Sequence, residues 1–125
     1  MKVLSIEQMN KLKELGIDVS PKEDWLMYSA VEGDYKLMYG QSVCEDDMKA
    51  FTLHDVIELI PKRIMSDFGD ADLIIQPNRD ATVYVISYEP KNDIIAWFYD
   101  ENIIEAAYLM LIWVIENGHL STKTI

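Results

Sequence analysis

Apolar and polar positions alternate along this chain with two different periods, and the changes of period divide it into elements. From Ile6 the apolar residues Ile6, Met9, Leu12 and Leu15 recur every three positions among Glu7, Lys11, Lys13 and Glu14. That is the narrow stripe of an amphipathic helix. Ser5 and Gln8 fit a capping box, S-x-x-Q, at its start. Gly16 fits the position just past its end, where the backbone turns left-handed and glycine takes it without strain. Ile17 and Val19 are expected to fold back as the apolar contact after that stop, and Ser20-Pro21 reads as a turn. From Asp24 to Val31 the period becomes two: Trp25, Met27 and Val31 alternate against Leu26, Tyr28 and Ala30. Glu32-Gly33-Asp34 is a turn signal and Tyr35 to Tyr39 a second strand, so a hairpin is expected. Gly40 to Ala50 has no period, contains Glu45-Asp46-Asp47, and reads as an exposed loop.

A second helix follows, with Thr52 as cap and Asp55 three residues on, and with Leu53, Val56, Ile57 and Ile60 as its buried face. Pro61 cannot donate a backbone bond and disfavours helical backbone at Ile60, so this helix should stop near Leu59 or Ile60. Arg63 to Ser66 is a candidate short strand. Asp67, Gly69, Asp70 and Asp72 mark a turn. Leu73 to Gln76, Ala81 to Tyr88 and Ile94 to Tyr99 are the next strands, joined by turns at Asn78-Arg79-Asp80 and Pro90-Lys91-Asn92-Asp93. Within the middle strand Val83, Val85 and Ser87 point one way, and Tyr84, Ile86 and Tyr88 the other. Short connections make the pairing antiparallel.

The last helix spans Asp100 to Gly118. Asp100 is its candidate N-cap, Glu101 meets the positive end of the dipole, and Gly118 lies just past the end. Ile104, Ala107, Tyr108, Leu111, Val114 and Ile115 form one face. Ala106, Leu109, Met110 and Trp113 fall roughly opposite, leaving only Glu101, Glu105 and Glu116 as a narrow acidic strip with Ile112 among them. A helix apolar nearly all round is buried on more than one side. Either another helix of the chain covers Leu109 and Trp113, or Trp113 is presented to a second subunit.

The expected fold is α+β: an antiparallel sheet of about five strands with three helices, in the order α-β-β-α-β-β-β-α, the helices on one face of the sheet. At 125 residues one domain, 1–125, is expected, with 119–125 as a frayed tail.

Composition narrows the function classes. Half of the residues are hydrophobic, which excludes a disordered chain. The net charge of -11 argues against direct binding to nucleic acid or to an anionic membrane, both of which rely on Lys and Arg. It suits plain solubility, a basic protein partner, or mimicry of a nucleic acid. The single cysteine, Cys44, allows no internal disulfide and fits a reducing, cytoplasmic setting. The N-terminal residues lack the apolar core of a secretory signal. The apolar run Ile103 to Ile115 is broken by Glu105 and falls short of the roughly 20 residues a membrane span needs.

Candidate chemistry is sparse. His54 and His119 are the only histidines, and no metal-ligand spacing joins them to cysteine or to each other. His119 suits the negative end of the last helix as a cation. Cys44 sits beside Glu45, Asp46 and Asp47, which oppose thiolate formation. Asp67, Asp70 and Asp72 form a carboxylate cluster without the ligand spacing of a calcium loop. No glycine-rich phosphate loop and no G-x-S-x-G elbow occurs. No catalytic, cofactor-binding or metal-binding residues are therefore assigned, and no cofactor is implied.

Three segments carry a resemblance: Ser5 to Asp18 (SIEQMNKLKELGID), Phe51 to Lys62 (FTLHDVIELIPK) and Asp100 to Gly118. In this order they resemble small acidic proteins of unknown function from gut bacteria, their phages and mobile elements. The resemblance implies a setting in which small acidic proteins act on other proteins. It carries over no activity and no functional residue.

The leading expectation is a non-enzymatic protein-binding module that self-associates, as a homodimer, through Leu109, Met110 and Trp113 with Glu105 and Glu116 at the margin. The alternatives are an acidic inhibitor of a nucleic-acid-binding host protein, and a small ligand-binding or hydrolytic domain with a pocket between helices and sheet.

Overall fold

The computed structural model describes residues 2–20, 25–31, 34–40, 47–66, 69–90 and 94–119. The class and the element order agree with the sequence: three helices and antiparallel strands in an α+β arrangement. The strands are distributed over two sheets, and the chain divides into two compact units, one ending at Thr52 and the other spanning Leu53–Ser121.

The first unit opens with α1, Ile6–Glu14. Both halves of the capping box form: Gln8 N donates to Ser5 Oγ at 3.2 Å, and Ser5 N donates to Gln8 Oε1 at 2.8 Å. Gly16 takes φ 95°, and the helix closes with Gly16 N donating to Lys13 O and Ile17 N to Leu12 O. These two bonds are a Schellman stop, and Ile17 and Val19 are buried, as expected of the residues that follow it. The hairpin pairs β1, Trp25–Val31, with β2, Asp34–Gly40. Residues 21–24 and 32–33, including the two expected turns, lie outside the described residues.

The expected exposed loop from Gly40 to Ala50 needs correction at its end. Met48–Lys49 form β3, which pairs antiparallel with β1 through Met27↔Lys49 and Tyr28↔Met48. Asp47, Met48, Ala50 and Phe51 are buried. A two-residue strand is too short to show a period, and the acidic residues before it dominate the local pattern. At its start Gly40 closes β2, and residues 41–46, including Cys44, lie outside the described residues. Two polar contacts tie this unit together: Tyr28 Oη donates to Leu4 O at 2.6 Å, and Ser29 Oγ donates to Asp47 Oδ1 at 3.1 Å. Thr52, expected as a helix cap, forms an antiparallel bridge with Val3.

The second unit begins with α2, Leu53–Leu59, which ends two residues before Pro61 as expected. A four-stranded sheet follows in the order β4-β5-β6-β7, built from Arg63–Ser66, Gly69–Pro77, Tyr84–Glu89 and Ala96–Asp100. The acidic turn expected at Asp67, Gly69, Asp70 and Asp72 is corrected in its later part: Gly69, Asp70 and Asp72 belong to β5 and pair with Ser66, Met65 and Arg63, while Asp67 lies outside the described residues. Aspartates favour turns, yet on a half-exposed strand they simply point to solvent. The β5–β6 connection is organised by Asn78, whose Oδ1 accepts from Thr82 N and Val83 N while Ala81 takes φ 56°. The turn therefore runs to Val83, and β6 starts three residues later than the sequence suggests.

Helix α3, Ile103–Glu116, packs against α2 and over β6 and β7. Its N-cap is Asn102, not Asp100; Asn102 Oδ1 accepts from Ile104 N at 3.3 Å. Asp100 closes β7 and accepts from Asn102 N at 2.9 Å, so two acceptors compete for the entry and the nearer takes it. The C-terminal stop is a second Schellman motif, with Gly118 at φ 75° and His119 N donating to Val114 O at 2.9 Å. Residues 120–125, most of the expected frayed tail, lie outside the described residues.

Candidate functional site

Helix α3 was the expected interaction surface, and its burial is rotated from the expected face. The buried residues are Ile104, Ala106, Ala107, Met110, Leu111 and Val114. Tyr108 and Ile115 are only half-buried. At 100° per residue the buried arc is turned by roughly 60° from the predicted one. Met110 and Ala106, placed opposite the predicted core face, are fully buried within the chain. An almost wholly apolar circumference has no sharp centre. The better guide is its polar exception, since Glu105 and Glu116 lie opposite the buried arc.

Trp113 is engaged within its own unit. Its ring lies 6.2 Å from that of Tyr88 and stacks on His119 at 5.2 Å and 22°. Tyr88 is fully buried, and its hydroxyl donates to Pro61 O. Burial pushes the Tyr88 phenol above its ordinary range. Tyr108 is pushed the same way by burial and by Glu105. On the outer strip Leu109 is 40% exposed and Glu116 is exposed, while Glu105 is half-buried. His54 faces solvent, with Nε2 3.0 Å from Glu58 Oε1 one helical turn on. Among the described residues no three His, Cys, Asp or Glu converge as a metal-holding group.

A different surface is richer. Register places Ile64, Ala71, Leu73, Ile86, Tyr88, Ala96 and Phe98 on one face of the four-stranded sheet, the one that receives α3. The other face is crossed by three rows. Arg63, Asp72 and Glu89 form the first; Ile74, Ser87 and Trp97 the second; Gln76, Val85 and Tyr99 the third. Met65 and Asp70 pair beside the first row.

The first row is polar. Arg63 Nε lies 2.6 Å from Asp72 Oδ1, and the guanidinium holds the Asp72 carboxyl below its usual range. Ser87 Oγ donates to Glu89 Oε2 at 2.7 Å. The other rows end in aromatics. Trp97 is 50% exposed and Tyr99 54%, with ring centroids 4.8 Å apart, and Met65 is 79% exposed. Both rings sit on β7, an edge strand.

Sequence reasoning missed this surface. Trp97 and Tyr99 were legible as alternate residues of one strand, but alternation cannot say which face a helix will cover. Arg63 was legible as the start of a short strand, but its partner strand was hidden because Asp70 and Asp72 read as a turn. Comparison with protein-family models, curated proteins and solved structures yields no significant match.

Proposed function

We propose that the chain is a non-enzymatic protein-binding module whose contact surface is the β7 margin of the four-stranded sheet, on the face opposite the one that receives α3. The observation that carries this is the adjacent pair Trp97 and Tyr99, each about half exposed on an edge strand. Large aromatics cost free energy when left in water and are enriched where proteins meet proteins. Helix α3 supports self-association less well, because Met110 is enclosed and Trp113 already packs on Tyr88 and His119. Two copies at -11 each would also repel. The resemblance to small acidic proteins of phages and mobile elements favours a protein target, and the single cysteine a cytoplasmic one.

The test is affinity capture from cells expressing the tagged chain, comparing wild type with the double variant Trp97→Asp, Tyr99→Asp. Circular dichroism establishes that the variant is folded. Wild type is expected to retain a partner that the variant loses. Identical captures from both would remove this surface from consideration.

No described helix is long and apolar enough to cross a membrane. The acidic composition supports a narrower alternative in which the partner is a nucleic-acid-binding protein. That version predicts competition between the captured partner's nucleic acid and this chain.

A further inference from the structure

We infer that the occupant of this surface is an extended, cationic segment of another protein, added beside β7 as a fifth strand with Lys or Arg at alternate positions. This rests on the protein-binding proposal above and names the partner's chemistry.

The edge comes first. Sheet order makes β4 and β7 the two margins, and among the described residues no strand pairs with the outer side of β7. Edge strands are commonly blunted by lysine, proline or brevity. β4 has four residues, begins with Arg63 and follows Pro61-Lys62. β7, Ala96-Trp97-Phe98-Tyr99-Asp100, has none of these devices before its terminal Asp100. It offers a row of backbone donors and acceptors for strand addition.

The side chains then set the pattern. Trp97 and Tyr99 lie on one face two residues apart, about 6.8 Å along a strand. An incoming strand repeats its own side chains at the same interval, so alternate residues fall beside these rings. Cations over indole and phenol faces are favoured. The intervening residues fall on the helix-covered side near half-buried Phe98, where apolar side chains fit.

Charge decides between occupants. Leu53 to Ser121 contains twelve Asp and Glu against four Lys and Arg, so this unit holds most of the chain's negative charge. On the face itself Asp72 is paired with Arg63, Glu89 lies on β6, the strand next to β7, and exposed Glu101 follows β7 directly. A second copy of the chain would bring the same negative charge and the same aromatic strand. Nucleic acid would be repelled.

The probe is the blocked peptide Gly-Lys-Val-Arg-Val-Lys-Gly, titrated into the full ¹⁵N-labelled chain and followed by amide NMR. The expected result is perturbation centred on the amides of 96–100 and the Trp97 indole. Affinity should fall at least about tenfold between low salt and about 0.5 M salt. Trp97→Ala with Tyr99→Ala should weaken binding about tenfold. Glu89→Gln with Glu101→Gln, which keeps the shapes and an acceptor for Ser87, should weaken it about threefold and decides the matter if the first variant does not fold. A peptide with Glu in place of the cations, and one N-methylated on the amides that would pair with β7, should not bind.

Equal binding by either control overturns the inference, as does an unperturbed β7. If β7 is unperturbed while the Trp97→Asp, Tyr99→Asp variant still loses captured proteins, only the cationic-strand inference falls. If that variant captures the same proteins as wild type, the binding surface falls with it.

Discussion

Replacing Tyr88 by Phe removes one buried hydroxyl and nothing else, so it tests the core of the second unit directly. Tyr88 is fully exposure-free, its ring packs against Trp113, and its hydroxyl donates to the carbonyl of Pro61 in the segment between α2 and β4. The variant keeps the ring contact and strands that carbonyl. Losing one partner of a buried hydrogen bond costs about 1–3 kcal/mol. Pro61 is only half-buried, so water can partly recover the bond and the lower half, about 1–2 kcal/mol, is expected. That corresponds to a melting temperature lower by about 3–8 °C for a chain of this size. Urea denaturation at pH 7, with unchanged slope, measures it.

The pH dependence provides a second readout. The Tyr88 phenol has its pKa raised in the folded chain by burial, so the unfolded state loses its proton first. Its contribution is fully present below about pH 10 and is lost as pH rises from there toward the higher folded pKa. The slope approaches about 1.4 kcal/mol per pH unit. Tyr88→Phe lacks this fall, so the stability gap between wild type and variant should narrow above pH 10. Tyr28 and Tyr108, also raised by burial, titrate in both proteins and cancel in the comparison. A gap below about 0.3 kcal/mol at pH 7 that stays constant to pH 11 would refute the reasoning, since a buried donor bond on this scale cannot vanish unnoticed.

Further tests address individual elements. Met110→Ala should cost about 2–5 kcal/mol, whereas Leu109→Ala on the outer strip should stay within about 0.5 kcal/mol; equal costs in thermal denaturation would contradict the rotated burial of α3. Gly118→Ala forces a side chain into left-handed backbone where no atom lies within 4 Å of the new Cβ, so only the strain of about 1–2 kcal/mol should appear as a lower melting temperature. Ser5→Ala should cost about 1 kcal/mol by breaking the capping box of α1, measurable by denaturant unfolding. Carboxyl NMR should find Asp72 titrating below the ordinary range and returning toward it in Arg63→Met.

Several features of this protein are local enough to be determined by sequence alone. Ser5 and Gln8 are three residues apart and need no distant partner to cap a helix, and Gly16 and Gly118 mark their stops because only the local backbone matters there. Pro61 ends α2 for the same reason. The period of two from Tyr84 to Tyr88 gave the strand and its two faces. Together these suffice for the α+β class and the element order.

The tertiary structure decided what depends on long-range choice. Met48–Lys49 becomes a strand only because β1 offers an edge to pair with. Asp70 and Asp72 enter β5 only because Met65 and Arg63 lie opposite them. Helix α3 is apolar on too much of its circumference for periodicity to set its rotation, so packing on α2, β6 and β7 chose the arc that buries Met110. The same choice of face put Tyr88 beneath α3 and left Trp97 and Tyr99 about half exposed on the other side. Alternation names two faces of a strand, and only the packing of the whole unit says which of them meets solvent.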